Sequence, residues 1–532
     1  MTTTTVKPRL PAARPLAAAV AVAVLPLAPA SHAAWKFTPQ LEVRESYTDN
    51  VAASTRELAQ AQWVTSFAPG FTLETDGPRV QAKIGYNKHL YKFKDANVGG
   101  ARDSDQQLNA HLHANLVNDL LFLDTDATTQ QHSASAFGPL LSNTITSFAS
   151  ANANEVKTLR IAPYLKHRFG SIANAELRYT RDRVETDNMG FGRSDSNNVM
   201  LNATSGTAFR QLGWALNYQR QQLDTQSTRS LGGASPGPQG TSNTTDNLNT
   251  SLRYLYSPTL TLTASAGYDK YDYDALGGVT QGKSWSAGVT WLPSPRTSIQ
   301  ATAGKRYYGN SYSLNAQHRS RASVWIISYN DAVTTTRQQF LLPSAIDTAA
   351  MLDRLFAAAI PDAAARRQAV DAYILSTGLP PSLANSINYF SNRYMLQKQL
   401  QASAAFNTPR TSTILSLQSA RRDGLSSSVV DSGLLGVTNS ALNDNTRQSG
   451  ASIIVNWRLS SRTGINFTAD YMHVESLTVE RTDINRSLRL NLTRELRPKL
   501  RGQFELRHVE GSTSARVPYT ENAVSASLNK QF

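Results

Sequence analysis

Apolar and polar residues alternate one for one in short runs along most of this chain. Leu260, Leu262, Ala264, Ala266 and Tyr268 share one side of such a run, and Thr261, Thr263, Ser265 and Gly267 share the other. Ala173, Ala175, Leu177 and Tyr179 oppose Asn174, Glu176, Arg178 and Thr180, while Leu488, Leu490 and Leu492 oppose Arg489, Asn491 and Thr493. Ala451, Ile453, Val455, Trp457 and Leu459 repeat the pattern. A period of two sends successive side chains to opposite faces of a β-strand, so each run predicts a strand with one greasy and one wet face.

The connections fall into two kinds. Asp76-Gly77-Pro78, Asn118-Asp119, Phe169-Gly170-Ser171, Ser257-Pro258, Pro293-Ser294-Pro295, Thr408-Pro409 and Arg497-Pro498 are short and rich in turn-forming residues. Segments 133–154, 225–245 and 423–446 are longer and polar. Tight turns on one side and long loops on the other predict an all-β, transmembrane antiparallel barrel of the bacterial outer-membrane kind. An opening strand at 35–47, a closing strand at 518–532 and hairpins about the tight turns predict about twenty-two strands, with twenty as the fallback. One of the hairpins pairs 312–318 with 322–333. The even count puts both ends at the periplasmic rim. Closure is required because an unpaired backbone N–H or C=O in hydrocarbon costs several kcal/mol. Tyr254, Tyr256, Trp285, Trp291, Trp457 and Tyr471 stand on the apolar face near strand ends, where interfacial girdles belong.

The first residues read as a leader. Lys7, Arg9 and Arg14 precede an apolar run at 16–30, and Ser31-His32-Ala33 supplies small residues for cleavage after Ala33, with Ala30 as the second choice. Residues 1–33 are therefore expected to be removed, leaving 34–532 as the barrel and lowering the net charge from +14 to +11. The chain holds no cysteine, so disulfides contribute nothing to its stability. At the other end Val524, Ala526, Leu528 and the terminal Phe532 share a face, the form of strand by which the barrel assembly machinery reads its clients.

Several further stretches carry a family resemblance. They are Trp35-Lys36-Phe37-Thr38-Pro39, Glu45-Ser46-Tyr47-Thr48-Asp49-Asn50-Val51 and Phe67-Ala68-Pro69-Gly70. Two more are Arg306-Tyr307-Tyr308-Gly309-Asn310-Ser311-Tyr312 and Val324-Trp325-Ile326-Ile327-Ser328-Tyr329. Each is short, but together they are spread over the mature chain, which resembles the outer-membrane proteins associated with the PEP-CTERM/exosortase system, a group similar to a broader set of β-barrel porins. The resemblance implies work beside exopolysaccharide biosynthesis and exosortase genes, and it carries over no catalytic residue.

Candidate chemistry lies on the wet faces. Arg160, Lys166, Arg178, Arg253, Arg458, Arg489, Arg501 and Arg507 are expected to line the lumen, with Glu176 and Glu505 among them. A basic lining would draw anionic solutes such as acidic polysaccharide, because low-dielectric walls focus the field. The competing reading has those cations paired with acids and bracing a wide barrel. His111 and His113 share a face, but a metal site needs a third ligand that no spacing identifies. Nor does any spacing mark a catalytic constellation, so neither enzyme activity, cofactor nor metal is expected.

Segment 334–392 departs from the alternation. Ser344 can cap a helix bearing Ile346, Leu352, Leu355 and Phe356 at helical spacing, and Pro361-Asp362 can restart a second one bearing Val370 and Tyr373. Such an apolar stripe must bury itself. A lid or plug at the outer mouth is the expectation, and a surface decoration packed on neighbouring loops is the alternative. The sequence thus predicts a pore for exopolysaccharide export or, alternatively, a non-conducting scaffold. Outer-membrane lipid and polysaccharide-export components are the expected partners, and nucleic acid is not.

Overall fold

The computed structural model describes residues 35–95, 102–133, 135–138, 153–186, 192–226, 240–273, 275–276, 279–341, 352, 353, 356, 366, 370, 391, 393–426, 441–514 and 516–532. The expected leader lies outside them. Twenty-two strands follow one another in a meander. The first seven are β1 (Lys36–Thr48), β2 (Gln62–Asp76), β3 (Val80–Phe93), β4 (Ser104–Val117), β5 (Leu121–Ser133), β6 (Ala153–Phe169) and β7 (Ala173–Thr186). Next come β8 (Arg193–Ser205), β9 (Leu212–Gln226), β10 (Gly240–Ser257), β11 (Leu260–Tyr271), β12 (Gln281–Ser294), β13 (Thr297–Arg306) and β14 (Gly309–Arg319). The remainder are β15 (Ser323–Thr335), β16 (Tyr394–Asn407), β17 (Thr411–Gly424), β18 (Thr446–Arg458), β19 (Thr463–Ser476), β20 (Arg481–Arg497), β21 (Leu500–Thr513) and β22 (Arg516–Gln531).

Each strand pairs antiparallel with its neighbours in sequence. β1 closes the sheet on β22 in a register from Gln40 opposite Gln531 to Thr48 opposite Ala523. The terminal Phe532 donates its backbone N–H to Pro39 O at 2.9 Å, so the last residue helps to fasten the seam. Closure leaves no free edge, as a sheet in hydrocarbon demands. Strands run from 10 to 18 residues, and about 9 to 11 suffice to span a membrane, so most project beyond it.

The alternation read from the sequence sorts onto two faces. Leu177, Tyr179, Leu252, Leu262, Leu417, Leu488, Leu490 and Leu528 are exposed on the outer surface, an apolar area no water-soluble sheet would leave open. Tyr47, Trp63, Tyr268, Trp285, Tyr312 and Tyr471 ring the extracellular end of this belt. Tyr254, Tyr256, Trp291, Trp325 and Trp457 ring the periplasmic end. Two aromatic girdles about a greasy band are the surface of a protein that sits in the outer membrane.

The inner turns follow the turn chemistry. Gly77 N–H donates to Val80 O at 2.9 Å, and Ile172 N–H donates to Phe169 O at 3.0 Å. Gly170 takes φ +56, a conformation that costs a glycine little. The outer connections are less uniform than the pattern predicts. β13 and β14 are joined by Tyr307 and Tyr308 alone, with Gly309 at φ +120, and 477–480 and 514–515 are also short.

A buried charge network ties the seam together. Arg507 on β21 pairs with Glu521 on β22, and Thr48 on β1 donates its hydroxyl to Glu521 Oε1 at 2.8 Å. Arg507 and Glu521 are 5 % and 1 % exposed, so neither charge is compensated by water. Removing one partner of a buried pair costs about 3–5 kcal/mol, because the other charge stays behind. Glu521→Ala should therefore lower the temperature at which the folded band is lost in heat-modifiable gel mobility, whereas Glu510→Ala, at an exposed pair with Arg486, should leave it unchanged. Equal midpoints for both variants would refute the seam's role.

Candidate functional site

The lumen is the candidate site, and its wall divides into two arcs. From β19 through the seam to β7 the inward positions include many charged residues. Arg160 Nε lies 2.8 Å from Asp182 Oδ1, and Arg178 reaches both Asp124 Oδ2 at 2.8 Å and Glu176 Oε1 at 2.9 Å. Lys166 Nζ is 3.5 Å from Glu176 and sits 5.0 Å from the centre of the Tyr164 ring. Arg44 pairs with Glu42 at 2.9 Å, and Arg489, directly opposite Arg507, faces Glu505 and Asp470. Acids and bases interleave along this arc.

The other arc, from β8 to β18, is neutral at mid-height. Its inward residues include Asn198 and Asn202 on β8, Asn217, Gln219 and Gln221 on β9, and Asn247, Asn249 and Ser251 on β10. Thr263, Ser265, Ser284, Ser286, Thr302 and Ser313 continue it, with hydroxyls of facing strands in contact: Ser265 with Ser286 and Thr302 with Ser313, each at 2.6 Å. Gln397, Gln399 and Gln401 line β16. A hollow of about 300 Å³ opens in this arc, lined by Met200, Asn202, Asn217, Gln219, Asn247 and Asn249 and bordered by Asp269 and Arg306.

The eight predicted lumen cations all lie on strand faces opposite the exposed apolar residues, but they are not equivalent. Arg160, Lys166, Arg178 and Arg507 are in salt bridges. Arg253, near the inner rim, lies against Gly213, where an added Cβ would come within 3.0 Å of its guanidinium. Arg458 donates to Pro409 O, and Arg501 stands on the inward face of β21. Pairing at four of the eight favours bracing over attraction of anions at those positions. His111 and His113 do not converge on a shared point. His111 Nδ1 lies 2.7 Å from Asp126 Oδ1 and His113 Nδ1 lies 2.7 Å from Asp124 Oδ1, each imidazole taking its own carboxylate across β4 and β5. Among the described residues no group of three or more metal-ligating side chains gathers.

The insert begins two residues later than its sequence boundary, because Thr334 and Thr335 complete β15. Thr335 then caps a short helix, α1 (Thr336–Leu341), upstream of the predicted Ser344. Gln338 N–H donates to Thr335 Oγ1 at 3.3 Å and Thr335 N–H donates to Gln338 Oε1 at 3.1 Å, a reciprocal cap. Of the predicted stripe, Leu352, Phe356 and Val370 are helical, with Leu352 and Val370 buried. Asp353 and Arg366 join at 2.7 Å. Ile346, Leu355 and Tyr373 lie outside the described residues.

Contacts across the outer mouth are what sequence reasoning missed. Phe340 of α1 packs on Val156 of β6 and Val184 of β7, and its ring lies 4.6 Å from that of His132. Arg337 donates to Asp182 O at 2.9 Å, and burial pushes its guanidinium down to about 10, still charged at neutral pH. From another direction Ala136 and Phe137, beyond β5, join Met395 of β16 and Met472 and Val474 of β19 in an apolar cluster with Leu442. Ala136 N–H donates to Asn443 Oδ1 at 3.1 Å and Gly138 N–H to Asp483 Oδ2 at 2.9 Å. The signal was present: Val156, Val184, Met395, Met472 and Val474 are apolar at inward positions near the outer strand ends, where water alone would call for polar residues.

No family model and no curated protein matches this chain. Among solved structures it is similar to the siderophore receptor PirA from Pseudomonas aeruginosa, at 10% identity over 93% of this chain and 80% of that one, with a TM-score of 0.44. PirA from Acinetobacter baumannii matches at 8% identity over 93% and 80%, with a TM-score of 0.46. The FrpB iron transporter from Neisseria meningitidis matches at 11% over 93% and 82%, with 0.47. At such values the likeness carries nothing about what this chain binds.

The span across the mouth is directly checkable because the chain has no native cysteine. Ser135 Oγ and Asn443 Nδ2 are 3.1 Å apart although they stand 308 residues apart in sequence. Ser135→Cys combined with Asn443→Cys should cross-link with a short bifunctional thiol reagent in intact membranes, giving a compact band on denaturing gels. Failure to cross-link, with both thiols shown to be reactive, would reject the bridged mouth.

Proposed function

We propose that this outer-membrane barrel is a conduit for a hydrophilic polymer, exopolysaccharide or its building blocks, with an outer mouth narrowed by elements that meet across it. The observation that carries the proposal is the neutral arc with its amide-lined hollow. Asn and Gln each offer both donors and acceptors, and Ser and Thr hydroxyls do the same, so the wall can exchange hydrogen bonds with sugar hydroxyls in many registers. Neutral bonds are individually weak, about 1 kcal/mol net, which suits a polymer that must be held and released repeatedly. The paired charges of the opposite arc resist collapse of a wide barrel without offering a strong binding charge. The resemblance to exosortase-associated outer-membrane proteins supports the same assignment.

A non-conducting scaffold is the second reading, and the contacts of Phe137 and Phe340 across the mouth favour it. Planar-bilayer recording separates the two. The conduit should show discrete conductance with weak ion selectivity and should be blocked reversibly by neutral oligosaccharides. Replacing Asn217 and Asn249 together by Leu should weaken that block about thirtyfold, as two hydrogen bonds are lost, while changing conductance little. A gene deletion should leave polymer trapped in the periplasm. A silent bilayer together with undisturbed polymer export would discard the conduit.

A further inference from the structure

The outward face is not symmetric about the membrane. On β11, β12 and β13 its periplasmic end carries Leu260, Trp291 and Ile299 and no cation. Its extracellular end carries Lys270, Lys283 and Lys305, all exposed and all on the same face as Tyr268 and Trp285 of the outer girdle. Register brings these residues together: Tyr268 is opposite Lys283, and Trp285 is opposite Lys305. Each of those two lysines therefore flanks a girdle aromatic on the next strand, and Lys270 lies two residues above Tyr268. The three lysines occupy successive diagonal positions, about 7–8 Å apart.

Their positive charge outweighs the one acid that stands opposite them, Asp246 of β10 across from Lys270. Several other outward cations have acids beside them: Arg220 with Asp246 at 3.7 Å, Arg421 with Asp423 at 2.9 Å, Arg447 with Glu475 at 3.5 Å and Arg486 with Glu510 at 3.2 Å. Lys270, Lys283 and Lys305 take part in no salt bridge among the described residues: Asp246, opposite Lys270, is shared with Arg220 at 3.7 Å, and Asp269 points inward toward Arg306 at 3.9 Å. A lysine above an aromatic girdle lays its methylenes on apolar surface and holds its ammonium at headgroup level. Three such ammoniums side by side make a positive patch at the depth where lipid phosphates lie.

We propose that the outer ends of β11, β12 and β13 form a docking site for the phosphorylated headgroup of a lipid in the extracellular leaflet. Lys270, Lys283 and Lys305 contact the phosphate oxygens, and Tyr268 and Trp285 pack at the boundary between headgroup and acyl chain. Two features select a lipid over a free anion: the patch faces away from the lumen, and its lysines are continuous with the apolar belt that acyl chains cover. The occupant is thus held by charge above the girdle and by acyl contact below it.

Native mass spectrometry of the detergent-solubilised full chain tests the assignment, with bisphosphorylated lipid A as probe and the same lipid stripped of both phosphates as control. Wild type should retain the bisphosphorylated lipid preferentially. Lys270→Gln, Lys283→Gln and Lys305→Gln combined should weaken retention about tenfold or more, while heat-modifiable mobility stays that of wild type. Arg447→Gln, at a position already neutralised by Glu475, should retain the lipid as wild type does. Equal retention by the triple variant, equal binding of the dephosphorylated lipid, or complete displacement by millimolar inorganic phosphate would each overturn the proposal.

Discussion

Everything in this molecule follows from the fact that hydrocarbon cannot hydrogen-bond a peptide group. A sheet that crosses the membrane must satisfy all its N–H and C=O groups within itself, which forces closure. Here closure falls between β1 and β22, among the described residues the one pair of sheet neighbours that are not neighbours in sequence, so it cannot form until the last strand is in place. That one long-range pairing is where the chain concentrates extra fastening: the backbone bond from Phe532 to Pro39 and the buried Arg507, Glu521 and Thr48 group.

The same constraint explains why so much of the fold could be read from residues alone. Lipid on one side and water on the other impose a period of two on every strand, and the pattern at 260–268 or 488–493 has no other simple cause. The strand count, the pairing of neighbours, the positions of Trp285, Trp291 and Trp457 and the inner turns at Gly77 and Gly170 follow from that alternation and from turn chemistry. The short outer turn at Tyr307 and Tyr308 was not legible, since loop length on the water side is free of the membrane's demand.

The candidate site was legible only by face. Alternation tells which residues look inward, and it put Arg160, Lys166, Arg178 and Arg507 there. It cannot tell which inward residues meet, because partners come from different strands at heights set by register. Asp124, for instance, serves both His113 on β4 and Arg178 on β7. Contacts across the mouth are harder still: Phe137 and Met395 come together from segments far apart in sequence, and local sequence does not say which residue meets which. What could be seen was an incongruity, apolar residues at inward positions such as Val156 and Val184.

The division of the lumen into a charged and a neutral arc links architecture to transport. A wide barrel needs bonds between strands beyond the backbone ladder, and salt bridges such as Arg160 with Asp182 supply them on β6 and β7. Where such pairs line a wall their charges are engaged with one another, and their hydrogen-bonding capacity is largely taken up. At mid-height β8 to β18 is braced by hydroxyl contacts instead, Ser265 with Ser286 and Thr302 with Ser313. A hydroxyl ladder braces less strongly but presents no net charge. The arc that gives up stiffness is the one with the amide-lined hollow, and that coincidence is the physical argument for a passage along this side of the lumen.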